Sequence, residues 1–370
     1  MASTDPTVRI IGNDGVIAPT EAAEPYLERA TALDEQRLLG FLTDMVHTRA
    51  VDVEAANLQR QGHLALWAPS YGQEAAQIGS ARAARAQDSI FPAYREHGVA
   101  LVRGVDPVDI VRMMRGVTHG GWDPAEHGNF RPYTLVIGSQ TLHATGYAMG
   151  IRFDGPVSDD PERDEAVLVY FGDGATAQGD TNEAFVFAAS YRTPQVFFLQ
   201  NNHWAISVPV TRQSRTPLYL RAAGFGMPGV QVDGNDVLAV FAVTGALLDD
   251  ARAGRGPALI EALTYRIGAH TTADDPTKYR TDEELAEWTA RDPILRLRRH
   301  LEQRGVGAEE FERIDAEAAE LASRLRGDVL AIQDPPRSLL FEHVYREPHP
   351  LIAAEQAWLT DYEASYGEPS

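Results

Sequence analysis

Two uninterrupted apolar runs constrain this chain more than any other feature. Ala166-Val-Leu-Val-Tyr-Phe171 and Gln195-Val-Phe-Phe-Leu199 lack the alternation of a half-exposed strand. Runs of this kind suit strands buried on both faces. Between them, residues 181–191 carry helical periodicity. Downstream, a helical pattern over 237–253 precedes a third short run, Ala258-Leu-Ile-Glu-Ala262. Strand, crossover helix and strand in that order predict an α/β fold: a doubly wound, mostly parallel sheet flanked by helices.

The flanks are helical. Residues 1–33 show no periodicity and read as an N-terminal arm. From 34 to 61, Leu38, Leu42, Met45, Val46, Val53 and Ala56 recur at helical spacing, and Gly62 stops the pattern. Ser70-Tyr-Gly-Gln73 has the form of a capping box and predicts a helix over about 72–86, with helical segments on to about Val117. Residues 118–133, rich in Gly, Pro and His, form a loop, either a surface connection or the wall of a site. Residues 271–283 form a second, polar loop. Beyond Asp282 the helical pattern returns until Pro335-Pro336 breaks it. Leu339, Leu340, Phe341, Val344 and Tyr345 then make the chain too apolar for a free linker. The expected organisation is an arm over 1–33, one domain over 34–345 and a tail over 346–370.

Composition removes several functions. With 33 basic and 53 acidic side chains in 370 residues, the formal charge of −20 repels phosphate backbones, so nucleic acid is not expected as a partner. No stretch approaches the ~20 apolar residues of a membrane span. The first residues, Met-Ala-Ser-Thr-Asp-Pro, have neither the basic nor the apolar region of a secretory signal. Zero cysteines exclude disulfides, thiolate metal sites and cysteine nucleophiles. A cytoplasmic place is expected.

The chemistry sits at two strand tips. Gly172-Asp173-Gly174 follows the first run, Asn201-Asn202 follows the second, and 26 residues separate Gly174 from Asn201. Adjacent parallel strands bring both tips to the carboxyl edge, where open α/β sheets bind ligands. Gly172 and Gly174 let the backbone turn tightly and approach a diphosphate, and the next helix offers its N-terminal amides to that anion. Asp173 and the side-chain oxygen of Asn202 are hard ligands suited to magnesium, which takes few carboxylates alongside phosphate oxygens. Either tip alone is an ordinary turn. Together, at this spacing, they point to thiamine diphosphate with magnesium. A nicotinamide dehydrogenase would need a Gly-x-Gly-x-x-Gly turn after a strand, and the chain has none.

Gly172-Asp-Gly-Ala-Thr-Ala-Gln-Gly-Asp180 and Asn201-Asn-His-Trp-Ala-Ile-Ser207 resemble the two halves of the thiamine diphosphate motif in the α subunits of the E1 component of 2-oxo acid dehydrogenase complexes. Leu58-Gln-Arg-Gln-Gly62, Ala93-Tyr-Arg-Glu-His-Gly98, Val232-Asp-Gly-Asn-Asp236 and Tyr265-Arg-Ile-Gly-Ala-His-Thr-Thr-Ala-Asp-Asp-Pro276 match that family in order. The resemblance runs from about residue 34 to beyond 345. It implies that Asp173, Asn202 and the Trp204 carbonyl hold Mg2+. It also implies that Gly172, Gly174, Ala175 and Ile206 line the cofactor, that Tyr94 and Arg95 bind it, and that Ile137, after a strand-like 133–137, lies beneath it. His270 would serve as phosphate donor and in proton transfer. Gln200 stands where some members carry Arg, Ala269 replaces a second histidine, and Thr271 replaces a regulatory serine.

The activity implied by the resemblance is decarboxylation of a 2-oxo acid and reductive acylation of a lipoyl-bearing E2 protein. A separate β subunit would supply the glutamate that activates the cofactor, in an α2β2 heterotetramer. Tyr265-Arg-Ile-Gly and Val232-Asp-Gly-Asn-Asp236 favour branched-chain 2-oxo acids. Pyruvate is the alternative, then acetoin, and a non-catalytic assembly subunit is a further reading.

Overall fold

The computed structural model describes residues 5–118, 121–155 and 164–366. His119 and Gly120 of the loop expected over 118–133, residues 1–4 of the arm and 367–370 of the tail lie outside them. Five parallel strands form one sheet in the order β1 (Ser89–Phe91), β2 (Val167–Gly172), β3 (Gln195–Asn201), β7 (Ala258–Leu263) and β6 (Gly229–Asp233). A separate antiparallel hairpin pairs β4 (Trp204–Ala205) with β5 (Val208–Pro209). The three apolar runs are the three central strands, β2, β3 and β7. The outer strands escape the sequence pattern: β1 has three residues, and β6 alternates with Gln231 and Asp233.

Both faces of the sheet are covered, as continuous apolar strands require. On one face Val167, Val169, Phe171, Phe197 and Leu199 pack with Ala144 and Ala148 of the Ser139–Asp154 helix and with Ala184, Phe185 and Ala188 of the Gly179–Tyr191 helix. On the other, Tyr170 reaches Ser80 of the Glu74–Ala83 helix, hydroxyl to hydroxyl at 2.8 Å. The Val237–Arg252 helix packs closely on Glu74–Ala83. A Cβ built on Gly79 would sit 2.9 Å from the Val237 carbonyl oxygen, so this contact admits only glycine.

Three local expectations are corrected. The helical segments expected on to about Val117 are Glu74–Ala83, His97–Val102 and Pro107–Arg115, but β1, unexpected there, stands between the first two. The capping box does not form. The Ser70 backbone N–H donates to the buried Asp52 carboxylate at 2.9 Å, and its hydroxyl is unpartnered. Residues 133–137 are extended loop rather than strand, with a single bridge from Phe130 to Ile90 just before them.

The chain divides into two compact units, Met1–Leu330 and Ala331–Ser370, which differ from the expected boundaries at 33/34 and 345/346. The arm belongs to the first unit because it is an extra edge of the sheet. Val8 pairs with Val232 outside β6, and Val8, Ile10 and Ile11 are buried. The buried Asp236 ties it down: Oδ2 accepts the Ile10 and Ile11 N–H groups at 2.6 and 2.8 Å. Oδ1 accepts Leu238 and Ala239 at 3.1 Å each and caps the Val237–Arg252 helix. In the second unit, the Leu339–Glu342 and Pro350–Ala364 helices bury no residue; Trp358 stacks on Tyr362, which meets Tyr366 edge to face. No helix of the described residues is long and apolar enough to cross a membrane.

Asp236→Ala removes a helix cap and orphans two buried N–H groups. We expect a loss of about 3 kcal/mol in urea unfolding, with faster amide exchange over residues 8–20. A loss below about 1 kcal/mol with unchanged exchange would show that the arm is held by packing alone.

Candidate active site

Parallel register builds the site. Gly172 of β2 lies opposite Gln200 of β3, so the chain leaves both strands side by side at the carboxyl edge. From Gly172 it enters a short 3-10 turn, Asp173–Ala177, before the Gly179–Tyr191 helix. From Asn201 it enters the β4–β5 hairpin. Three further segments close the cleft: Tyr94-Arg95-Glu96 after β1, Ile137-Gly138 before the Ser139–Asp154 helix, and His270 beyond β7. Tyr94, Arg95, Ile137, Gly172, Asp173, Gly174, Ala175, Asn202, Trp204, Ile206 and His270 all line this one cleft.

Asp173 is 2% exposed. Burial raises its carboxyl above the usual range, and a 2.7 Å hydrogen bond from Gln213 to Oδ2 opposes that rise. Asn202 is buried too. Its Nδ2 donates to Gln73 Oε1 at 3.2 Å, and its Oδ1 accepts the Trp204 N–H at 3.3 Å. The hairpin between these groups is strained: His203 has φ 70° and the β-branched Ile206 φ 56°. Each such residue costs roughly 1–2 kcal/mol, a strain that gathers at ligand sites. A Cβ on Gly174 would lie 2.8 Å from Ala205 Cβ, so the hairpin closes against a turn that only glycine allows.

Arg266 fixes that hairpin. Fully buried, it donates to the carbonyls of Trp204 (3.1 Å) and Ile206 (2.7 Å), to the Tyr279 hydroxyl (2.8 Å) and to His270 Nδ1 (3.2 Å). Arg95 donates to the carbonyls of Pro69 (2.6 Å) and His270 (2.9 Å), and also meets His270 Nδ1 at 3.3 Å. Neither guanidinium forms an ion pair with a carboxylate of the described residues. Two buried cations outside any direct ion pair, opposed only through space by Asp52 and Glu96 near Arg95 and by Asp274 near Arg266, are costly and attract an anion.

The same contacts settle the state of His270. Guanidinium groups only donate, so Nδ1 must accept and the ring proton sits on Nε2. Burial, then Arg95 and Arg266, push the imidazole down to about 4, against an upward pull from Asp274. Asp274 accepts the His270 N–H at 2.8 Å and also the Tyr279 hydroxyl, fixing the backbone that carries the ring. At neutral pH the ring is an uncharged Nε2–H donor.

Arg266 went unassigned in the sequence, though it stands four residues before His270. Its signal, a charged residue just past an apolar strand, is weak. Two glutamines of the wall were also missed, Gln73 and Gln140, and with Gln200, already noted in the sequence, each is at most 3% exposed. Each keeps one amide atom without a partner, Gln73 Nε2, Gln140 Oε1 and Gln200 Oε1. Such atoms cost about 1–3 kcal/mol each when buried and fit a cleft built for a polar ligand. Gln200, which stands where some members of the resembled family carry Arg, gives its amide to the buried Glu96 Oε1 at 2.6 Å. The described residues contain no cluster of three His, Cys, Asp or Glu side chains that could hold a metal ion. A cation here would rest on one carboxylate, one amide oxygen and one carbonyl.

A parallel α/β sheet with an anion cradle and a sparse oxygen site at its carboxyl edge defines a cofactor-binding enzyme chain. The model of the dehydrogenase E1 component family matches residues 43–323, and the chain belongs to that family. It is 45% identical over 355 residues to a 3-methyl-2-oxobutanoate dehydrogenase subunit alpha of Mycobacterium tuberculosis, covering 95% of this chain and 93% of that protein. It is 38% identical over 301 residues to a pyruvate dehydrogenase E1 component subunit alpha of Staphylococcus aureus, covering 81% and 78%. A Staphylococcus epidermidis protein of the latter name is 39% identical over 282 residues.

His270 gives a pH prediction. Its folded value lies near 4, below the ordinary 6.5, so the unfolded chain takes up the proton first. Stability is therefore full above about pH 6.5 and falls as pH drops toward 4. His97, held near 3, and His203, near 4, act with the same sign. In urea melts at pH 7.0, 5.5 and 4.5, His270→Asn is expected to flatten part of this decline. An unchanged slope would mean that the ring is not held neutral in the fold.

Proposed function

We propose that this chain is the α subunit of a cytoplasmic E1 decarboxylase that acts on a branched-chain 2-oxo acid with thiamine diphosphate and Mg2+. Its β partner would complete the site, and a lipoyl-bearing E2 protein would accept the acyl group. The observation that carries this reading is Arg95 in the wall of the cleft that the Gly172–Gly174 turn also lines, with Arg266 meeting the same His270 nitrogen and neither guanidinium in a direct ion pair among the described residues. Asp173, Asn202 and the Trp204 carbonyl suit the cation that accompanies a diphosphate.

Thiamine diphosphate supplies, when bound, the carbon nucleophile and electron sink for decarboxylation. The chain's own residues bind and orient. Arg95 offers a charged fork to phosphate oxygens. Gly174 and Ala175 present backbone at the turn, Tyr94 walls the cleft beside Arg95, and Ile137 and Ile206 shield its mouth from water. His270 Nε2–H donates a hydrogen bond to developing or resident negative charge. The flanking guanidiniums oppose a second proton on that ring, which favours donation over general-base work.

Two observations support a second chain. Glu96 and Asp173 are the carboxylates of the cleft wall, and both are committed: Glu96 accepts Gln200 on Oε1 and the Arg95 N–H on Oε2. The acid that activates the cofactor must then come from elsewhere. Apolar side chains of the cleft wall are also open, with Ile137 42% and Ile206 54% exposed, as a surface awaiting a partner would be. The branched-chain assignment is supported by the 45% identical mycobacterial relative, and the staphylococcal relatives keep pyruvate as the second reading.

Co-expression with the β subunit, with thiamine diphosphate and Mg2+ added, is expected to give kcat/KM at least about 100-fold higher for 3-methyl-2-oxobutanoate than for pyruvate, about 2.7 kcal/mol of transition-state binding. The reverse preference would move the chain to pyruvate. The α chain alone should turn over neither acid. Cofactor binding indifferent to Asp173→Ala would favour a non-catalytic assembly role.

A further inference from the structure

We propose that Gln213 and Gln73 are positioning residues for the divalent cation, each turning one oxygen of a ligand toward it. The inference rests on the cofactor reading above. Gln213 ends the short Val210–Gln213 helix that follows the hairpin. Its Nε2 donates to Asp173 Oδ2 at 2.7 Å and to the Val208 carbonyl at 3.2 Å. Both targets only accept, so the amide has one orientation and both its hydrogens are used. Oδ2 is thereby engaged, and Oδ1, which takes no hydrogen bond from another side chain of the described residues, is the oxygen left for a cation.

Gln73 does the matching work on Asn202. The Trp204 N–H must meet an acceptor, which sets Asn202 Oδ1 on that side and turns Nδ2 to Gln73 Oε1. Flipping both amides together would set Asn202 Nδ2 against the Trp204 N–H, donor to donor. Gln73 is itself 1% exposed and sits in the cleft wall, so its amide has little room to turn away. One glutamine thus reaches from the segment after β5 to the tip of β2, and the other from the start of the Glu74–Ala83 helix to the tip of β3. They couple two ligands that belong to different strands. Partners of this kind hold metal ligands in register, and their loss typically weakens metal binding 10–100-fold.

The test exploits a difference between two ions. Mg2+ demands a near-octahedral set of short contacts, whereas Ca2+ accepts six to eight oxygens in irregular geometry. In the metal-free α/β complex with saturating thiamine diphosphate, Mn2+ is titrated by its free-ion paramagnetic resonance signal and displaced with Mg2+ or Ca2+. Gln213→Ala and Gln73→Met are expected to raise the Kd for Mg2+ by about 10–100-fold and that for Ca2+ by no more than about threefold. The melting temperature of the metal-free protein should fall for Gln213→Ala by no more than the few degrees that one hydrogen bond to a buried carboxyl accounts for, since its helix buries nothing. Parallel loss of both ions, or Mg2+ affinity within about threefold of wild type, overturns the positioning role. A wild-type complex that binds no Mn2+ even with the diphosphate present overturns the cofactor reading instead. Should Gln73→Met not assemble, Gln213→Ala decides alone.

Discussion

The site depends on Arg266. A fully buried guanidinium with no carboxylate partner is among the least favourable groups to place in a core, and this chain surrounds it with neutral acceptors: the carbonyls of Trp204 and Ile206, the Tyr279 hydroxyl and His270 Nδ1. Each acceptor is thereby fixed. The hairpin keeps two residues at positive φ because their neighbours' carbonyls are held, and the imidazole keeps one tautomer because its other nitrogen faces only donors. One buried charge outside any direct ion pair, with Arg95 beside it, accounts for hairpin geometry and histidine state.

Such an arrangement is intelligible only with a ligand. Orphaned amide atoms on Gln73, Gln140 and Gln200, strain at His203 and Ile206, and two unpaired cations all disfavour the free protein. Most of them fall in or beside the same cleft, while the strand behind it keeps an orphan of its own, Gln195 Nε2. A ligand that binds only the folded state would offset that cost in proportion to its occupancy.

The sequence revealed the centre of the fold and not its edges, for a physical reason. β2, β3 and β7 are buried on both faces and must be apolar throughout, so they stand out as runs. β1 is too short to show a period, and β6 alternates because the arm, rather than another layer of core, covers its outer side. The arm read as unstructured because a strand that adds to an edge through Asp236 needs few apolar residues of its own. The site divides in the same way. Gly172-Asp173-Gly174 and Asn201-Asn202 are legible because backbone conformation and ligand chemistry restrict them to few residue types. Arg266, Gln73 and Gln213 are not, since their work is to meet partners supplied by distant segments, and only the folded register brings those together.

That division explains where change is tolerated. Swapping an apolar residue within β3 for another of similar volume leaves the strand tips in register, because the parallel ladder places Gly172 against Gln200 whatever the side chains are. A change at Arg266 has no comparable latitude. Lysine would keep the charge but lose the planar fork that spans Trp204, Ile206 and His270 at once. The hairpin carbonyls and the imidazole would then find separate partners or none. Rigidity of the Trp204 and Ile206 carbonyls is therefore inherited from a guanidinium held by neutral acceptors.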